Sequence, residues 1–432
     1  MNIVIINNGN PYFSSGIVGL DLYKEFQKRG HHVRLLVNNY FPGYPEGVIS
    51  IESFCLFWQK KILNKLKKIL KLEAQDNTDP KFRFHELNEK KTYYKTKLLL
   101  KKAKIKPDVI FVLFAKEFIN AKNIYELNQK TQAPIYWLIY DMAPFTGGCH
   151  YAWECRGYQN SCGKCPGLYS SDPFDLTYQN LLIKKAYLSK TNIQIITGSE
   201  WQFRQAKNSS LFRKKPVHKV LLSINPLVFK PESKKETRFK LDLPSGKKII
   251  FFGSVGLTDL RKGMLYLIES LKILKEKIKV TNPDLGENIL LLIAGERFEG
   301  IAGSLPFESH YLGLVDNTFG IASAFQAADV FVCPSVEDSG PMMINQSIMC
   351  GTPVVSYEMG VALDLIETGK TGYRAKIKDS ADMAQGIYDI LTLDSEKYNE
   401  LSQNCSKLGL ELCSPEVQLD KIEMLINNSK NR

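Results

Sequence analysis

The chain has 432 residues, of which 44% are apolar and 24% charged. That is an ordinary globular composition, which excludes a disordered or fibrous protein, and the length suits two or three domains. The formal net charge of +12 points to an anionic partner, but no zinc-finger spacing or aromatic–basic ladder supports nucleic acid.

No apolar run reaches the roughly 18 residues of a membrane-spanning helix. Met1-Asn2-Ile3-Val4-Ile5-Ile6 lacks a basic lead and passes into Asn7-Asn8-Gly9-Asn10-Pro11. It reads as a first strand and turn, not a signal peptide, so a cytoplasmic protein is expected.

In chain order, Ile3–Ile6 is a predicted strand and Gly16–Arg29 a helix ended by Gly30. Val33–Val37 is the next strand. Val109–Leu113 and Ile135–Tyr140 are strands around a helix at Ile119–Gln129, and Ile193–Thr197 is a further strand. Residues 40–106 interrupt this rhythm. Residues 213–247 are a Lys-, Pro- and Ser-rich connection with one short strand at Val217–Leu222. A second series follows, with strands at Lys248–Phe252, Ile289–Ile293, His310–Leu312, Val330–Cys333 and Val354–Ser356. Its helices are Gly263–Lys275, Gly320–Ala327 and Pro341–Met349, and Asp420–Ile426 is a final helix. Short apolar strands alternating with helices indicate parallel sheets covered on both faces. The expected fold is α/β, with two doubly wound Rossmann-like domains facing a central cleft. The expected domains are 1–200, carrying a basic helical insertion at 40–106 and a Cys-rich loop at 141–168, then 201–410, then a C-terminal helix at 411–432 that packs back towards the first domain.

The insertion concentrates the positive charge. Six lysines and no acid lie between Lys60 and Lys71, among Ile62, Leu63, Leu66, Ile69 and Leu70, with Phe54, Phe57 and Trp58 upstream. Lys90, Lys91, Lys95, Lys97, Lys101, Lys102, Lys104 and Lys106 surround Leu98-Leu99-Leu100. Such a pattern fits a helix on an anionic membrane surface. It equally fits a solvated helix whose apolar side is core.

Four of the nine cysteines fall within one short stretch: Cys149, Cys155, Cys162 and Cys165. Thiolates so spaced can close a tetrahedral zinc site, and Cys162-Gly163-Lys164-Cys165 has the spacing of a zinc knuckle. Reduced thiols and disulfides are the other two readings, the latter disfavoured in a reducing cytosol. Cys55, Cys333, Cys350, Cys405 and Cys413 read as scattered core residues. His150, beside Cys149, is open to roles as ligand, substrate contact or packed loop residue.

In the second half, strand ends carry small and charged residues. Phe252-Gly253-Ser254-Val255-Gly256 runs to Arg261-Lys262-Gly263 before a helix, where backbone amides and two cations suit a diphosphate. The same two cations also read as solvated loop charges. Ala294-Gly295-Glu296 and Cys333-Pro334-Ser335-Val336-Glu337-Asp338-Ser339-Gly340-Pro341 end two other strands, and Asn345 and Gln346 lie inside the next helix. The bland reading of these positions is ordinary turn chemistry.

These segments resemble the retaining glycosyltransferases of family 4, which have the two-domain GT-B fold. The matching pieces are Gly253 to Gly263, Leu312-Gly313-Leu314-Val315, Ala327 to Ser335, Glu337 to Gln346, Cys350 to Val355 and Glu367 to Tyr373. The loop from Asp141 through Phe145-Thr146-Gly147-Gly148-Cys149-His150-Tyr151 to Pro166 is similar to one in a branch that builds bacterial surface polysaccharides (colanic acid, O-antigen, lipopolysaccharide or capsule). The resemblance implies transfer of a sugar from a UDP- or GDP-sugar, with retention and without a catalytic metal, to a glycan or polyprenyl-diphosphate-linked acceptor. It also implies a cytoplasmic enzyme of the hexosyltransferase class, peripheral on the inner face of the cell membrane.

By that resemblance Lys262 grips the donor diphosphate. Ser254 stands near the place of a missing arginine, for which Arg261 could substitute. Asp338, with adjacent Glu337, and Gln346 stand where the family has two glutamates, so Gln346 meets the ribose without a charge. Asp338, Ser339 and Gly340 face the donor sugar, and Gly253 and Gly295 line the nucleotide site. Gly16 closes the first loop, where the chain has Ser14-Ser15-Gly16. Tyr140 replaces a histidine, leaving Asp141 beside the cleft. The catalytic group is therefore expected to be Asp338, Asp141, Lys262 and Arg261, with front-side attack on the donor. A transferase for soluble acceptors, of the glycogen-synthase or sucrose type, and a degenerate scaffold of a polysaccharide assembly complex are the alternatives. Oligomeric state is not legible.

Overall fold

Short aliphatic and aromatic runs, buried on both faces, build two parallel sheets in the computed structural model, which describes residues 1–12, 15–41, 43–53, 59, 62, 78–84, 88–296 and 303–430. The first sheet contains β1 (Asn2–Asn7), β2 (His32–Val37), β3 (Val48–Ser50), β4 (Val109–Val112), β5 (Ile135–Ile139), β6 (Ile193–Thr197) and β7 (Val217–Lys219). Their order is β3-β2-β1-β4-β5-β6-β7. In register, Ile5 pairs with Leu35 on one side and Phe111 on the other. The second sheet contains β8 (Lys248–Gly253), β9 (Ile289–Ala294), β10 (Glu308–Gly313), β11 (Val330–Cys333), β12 (Val354–Tyr357) and β13 (Gly372–Ala375), in the order β10-β9-β8-β11-β12-β13. Each fully buried Ile, Leu, Val or Phe in these strands contributes about 1.5–3 kcal/mol relative to exposure.

Helices cover the sheets with one apolar side each. Ala121–Thr131 buries Ile124 and Leu127, and starts with a reciprocal cap between Asn120 and Asn123. Met264–Thr281 buries Leu267, Leu271, Leu274 and Ile278. The chain divides into two compact units, Met1–Gly198 with Gln202–Lys219, and Ser199–Trp201 with Val220–Arg432. The expected boundary of the first domain is residue 200. The sheet instead carries the first unit to Lys219, because β7 pairs with β6. The C-terminal helices Ser395–Cys413 and Pro415–Lys430 group with the second unit. There the Ile224 N–H donates to the Cys413 carbonyl at 2.8 Å and Gln418 Nε2 to the Leu221 carbonyl at 2.9 Å.

Among its described residues, the insertion expected to be helical holds both a strand and a short helix. Within it, β3 extends the sheet beyond β2, and Thr96–Ala103 is a helix whose buried side is Thr96, Leu99 and Ala103. Leu99 is therefore core, while Lys95, Lys97, Lys101, Lys104 and Lys106 are exposed. The predicted amphipathic stretch from Phe54 to Lys71 lies, apart from exposed Ile62, almost wholly outside the described residues. So do Cys55 and His85. Among the described residues, no helix is long and apolar enough to cross a membrane.

Candidate functional site

In the second sheet the chain leaves β8 towards β9 and β10, then returns to build β11, β12 and β13 on the other side. The order reverses between β8 and β11, and open parallel sheets bind ligands beyond the carboxyl ends of such a pair. The loop after β8 holds Arg261 and Lys262, and the loop after β11 holds Asp338. Although 77 and 76 residues separate them in sequence, they meet. Arg261 Nη1 lies 2.5 Å and Lys262 Nζ 2.7 Å from the same Asp338 oxygen, Oδ2. Arg261 Nε also faces Asp259 at 2.9 Å, and the Val336 N–H donates to the Arg261 carbonyl at 2.8 Å, tying the two loops together.

This cluster is charged and largely buried. Burial alone would raise the Asp338 carboxyl. The Lys262 and Arg261 charges, with hydrogen bonds from Lys262 and the Gly340 N–H, outweigh it and hold the group well below the usual carboxylate range. Asp338 is thus an anion at any physiological pH. Arg261 and Lys262 are not the freely solvated loop charges of the bland reading. Gly263 explains why both loops come so close. Its φ is +71°, and a Cβ there would stand 1.8 Å from the Pro334 carbonyl oxygen.

The other expected donor residues lie on neighbouring strand ends. The Ser254 N–H donates to the Ala294 carbonyl at 2.9 Å. A Cβ on Gly295 would meet the Ser254 carbonyl oxygen at 2.2 Å, and one on Gly253 would crowd Ala294 and Met343. Glu337, Ser339 and Gln346 are buried, Gln346 on the helix Met342–Met349 that follows the Asp338 loop. Ser339 Oγ is buried without a hydrogen-bond partner, whereas its carbonyl accepts from Ser199 Oγ.

Gly16 and Asp141 belong to the other unit. Gly16 lies in the first turn of the helix Ser15–Lys28, where a Cβ would overlap the Asn10 carbonyl at 1.8 Å. Close packing of the loop after β1 is reason enough for a glycine there. Asp141 follows β5 and borders a cavity of about 340 Å³, together with Asn8, Phe114, Trp137, Tyr140 and His150. Its Oδ1 accepts from the Ala143 N–H at 2.8 Å, and its Oδ2 stands 3.1 Å from His150 Nδ1. Tyr140 stacks on Phe114 with ring centroids 5.4 Å apart, and burial pushes its hydroxyl pKa up.

Sequence reasoning did not single out the His150–Asp141 pair, because nothing in the nine-residue spacing marks it. Lys184 was also missed. Its Nζ donates to the Ala143 and Thr146 carbonyls at 2.7 and 3.0 Å and lies 4.0 Å from Glu89. A buried lysine on a helix otherwise reads as an exposed one.

Cys149, Cys155, Cys162 and Cys165 all border one small cavity of the first unit and are free thiols. Among the described residues, no group of three or more His, Cys, Asp or Glu side chains is gathered closely enough to hold a metal ion as it stands. Cys333, Cys350, Cys405 and Cys413 are buried free thiols, as scattered core residues should be.

Residues 233–408 match the family model of glycosyl transferases group 1. The chain is 29% identical over 154 residues to phosphatidyl-myo-inositol mannosyltransferase of Mycobacterium leprae (strain TN), covering 34% of this chain and 38% of the relative. It is 28% identical over 177 residues to D-inositol 3-phosphate glycosyltransferase of Arthrobacter sp. (strain FB24), covering 38% and 39%. The chain therefore spans less than two fifths of the length of these relatives. Among solved structures, sucrose-phosphate synthase from Thermosynechococcus elongatus matches across 100% of both chains, with a TM-score of 0.66 at 17% identity. The chain has the GT-B fold of two Rossmann-like units, and its second unit is similar, over residues 233–408, to the glycosyl transferases of group 1.

Proposed function

We propose that this chain is a retaining glycosyltransferase that moves a sugar from a UDP- or GDP-sugar to a glycan or polyprenyl-diphosphate-linked acceptor. The observation that carries the reading is the Arg261–Lys262–Asp338 cluster at the point where the second sheet reverses its strand order. It lies inside the segment similar to the group 1 transferases. Two cations held by a fixed anion form a preorganised site for a diphosphate. As the sugar–phosphate bond breaks, Arg261 and Lys262 stabilise the charge that develops on the leaving diphosphate. Asp338, Gly340 and the unpartnered Ser339 hydroxyl contact the sugar, Glu337 and Gln346 the nucleoside, and Gly253, Ser254 and Gly295 let the backbone approach it. The leaving phosphate oxygens accept the acceptor proton, and no catalytic metal takes part.

The cavity beside Asp141 and His150 is assigned to the acceptor. Its mixture of aromatic rings and buried polar groups suits a sugar ring. The exposed lysines around Thr96–Ala103 support docking on an anionic membrane, and the mannosyltransferase relative is named for a lipid acceptor. The inositol-phosphate relative is named for a soluble one, which favours a soluble acceptor as the second reading.

A panel of nucleotide-sugars tests the donor claim by release of free nucleotide. One donor should be turned over above the rest, and that turnover should vanish in Lys262→Ala. Co-sedimentation with anionic vesicles separates the acceptor readings. Binding lost when Lys95, Lys97, Lys101, Lys104 and Lys106 are neutralised supports the lipid, and no binding by the wild type favours the soluble acceptor.

A further inference from the structure

The segment between β5 and the helix Leu176–Leu188 is long, yet holds only three short 3₁₀ turns, at Ala143–Phe145, Gly157–Gln159 and Pro166–Leu168. Structureless segments of that length are uncommon inside a compact unit. This one also carries Asp141 and His150 at the edge of the 340 Å³ cavity. Something must hold it, and the four cysteines stand at its centre. They surround a cavity of about 20 Å³, large enough for one water-sized sphere and too small for an organic ligand. Phe82, Ala152 and Tyr158 line the rest of it.

The backbone closes around the sulfurs. The Gly157 N–H points at Cys155 Sγ at 3.5 Å. The Leu168 N–H donates to the Cys165 carbonyl at 3.1 Å and the Thr146 hydroxyl to the Cys149 carbonyl at 2.9 Å, fixing the backbone at both cysteines. The turn geometry agrees. Cys162, Gly163 and Lys164 have φ of +57°, +86° and +47°, a left-handed run that folds Cys162 and Cys165 towards one point. A Cβ on Gly157 would lie 3.5 Å from Cys155 Sγ and 4.0 Å from Cys162 Sγ, so both sulfurs border the same backbone position. Asp175 anchors the far end by accepting from the Cys165 N–H at 2.8 Å.

We propose that Cys149, Cys155, Cys162 and Cys165 bind one structural zinc ion that staples the 141–168 segment and thereby the Asp141–His150 edge of the neighbouring cavity. The four thiols ring the cavity without yet closing on it. Binding draws the sulfurs inward to the ~2.3 Å of a zinc–thiolate bond and releases their protons to solvent. Soft sulfur donors and a closed four-ligand shell select zinc over magnesium or calcium and leave no open position for catalysis. The site is independent of the donor cluster, which lies in the other unit.

Metal analysis of the full chain, purified without chelator, tests this directly. One zinc per chain is expected, released when a mercurial blocks the thiols. Cobalt replacement should give the thiolate-to-metal charge-transfer band of a tetrahedral sulfur site. Cys162→Ser with Cys165→Ser should lose the metal, whereas Lys262→Ala should keep it even while losing nucleotide-sugar turnover. Zinc removal from wild type by a strong chelator should lower the melting temperature. Metal-free protein with nine reactive thiols would overturn the proposal. So would protein whose four loop thiols react only after reduction, which indicates disulfides, or one that carries stoichiometric iron instead.

Discussion

Arg261→Ala separates the proposed site from a mere loop clasp. Arg261 and Lys262 share one oxygen of Asp338, at 2.5 and 2.7 Å. A diphosphate would recruit both cations. One charge-assisted hydrogen bond contributes about 1.5–3 kcal/mol, and about 1.4 kcal/mol is tenfold in affinity. Removing Arg261 should therefore weaken nucleotide-diphosphate binding by roughly 10- to 150-fold. Lys262→Ala should have an effect of the same order. The double variant should exceed the sum, because a remaining cation still offsets Asp338 in each single variant and none does in the double. Isothermal titration with UDP, GDP and their sugars supplies the affinities. Circular dichroism confirms that each variant is folded. Donor affinity within twofold of wild type in a folded Arg261→Ala protein would refute the role given to Arg261.

Four further outcomes follow from the same geometry. Asp338→Asn should lose turnover. The Asp338 carboxyl is held below its ordinary value in the fold, so its stabilisation is fully present above pH ~5 and declines as pH falls below ~4. Urea titrations should accordingly show a wild-type-to-variant difference that is flat from pH 8 to 5 and shrinks below 4; a difference that grows on acidification contradicts the assignment. Gly263→Ala should abolish donor binding, since its Cβ would sit 1.8 Å from the Pro334 oxygen at a φ of +71°. A crystal structure of that variant with both loops unmoved would sink the argument. Asp329 accepts from Lys234, Arg238 and the Ile249 N–H at 2.7–2.8 Å. Removing it in Asp329→Ala strands a buried guanidinium and should cost about 3–5 kcal/mol, read by chemical denaturation; a loss under 1 kcal/mol contradicts that. His150→Ala should raise the acceptor KM and leave the donor Kd unchanged in titration, whereas a weakened donor Kd would place His150 elsewhere in the chemistry.

Much of the architecture was legible because parallel strands buried on both faces are unbroken aliphatic runs. Ile3–Ile6, Val109–Val112 and Ile289–Ile293 have nothing polar to blur them. Short strands at or beside a sheet edge lack that signature. Val48-Ile49-Ser50 is three residues long, and Gly372–Ala375 interleaves a glycine and an exposed arginine, so both were missed. The helix Leu176–Leu188 escaped notice because polar and apolar residues are mixed around it, and the internal Lys184 is buried through backbone carbonyls. At the site, the residue types were readable one by one, but their meeting was not. Asp338 lies 76 residues from Lys262, and only the crossing of the sheet between β8 and β11 brings them together. His150 met the same limit: its pairing with Asp141 depends on the fold of a segment almost without regular structure.

Donor use is the central claim, and the most direct measurement is nucleotide release from a panel of UDP- and GDP-sugars by the full chain, with Lys262→Ala in parallel. Turnover of one sugar class well above the others, abolished in the variant, is the expected result. No turnover of any donor, together with no thermal stabilisation by any nucleotide-sugar, would contradict it and leave the cluster of Arg261, Lys262 and Asp338 as a structural clasp.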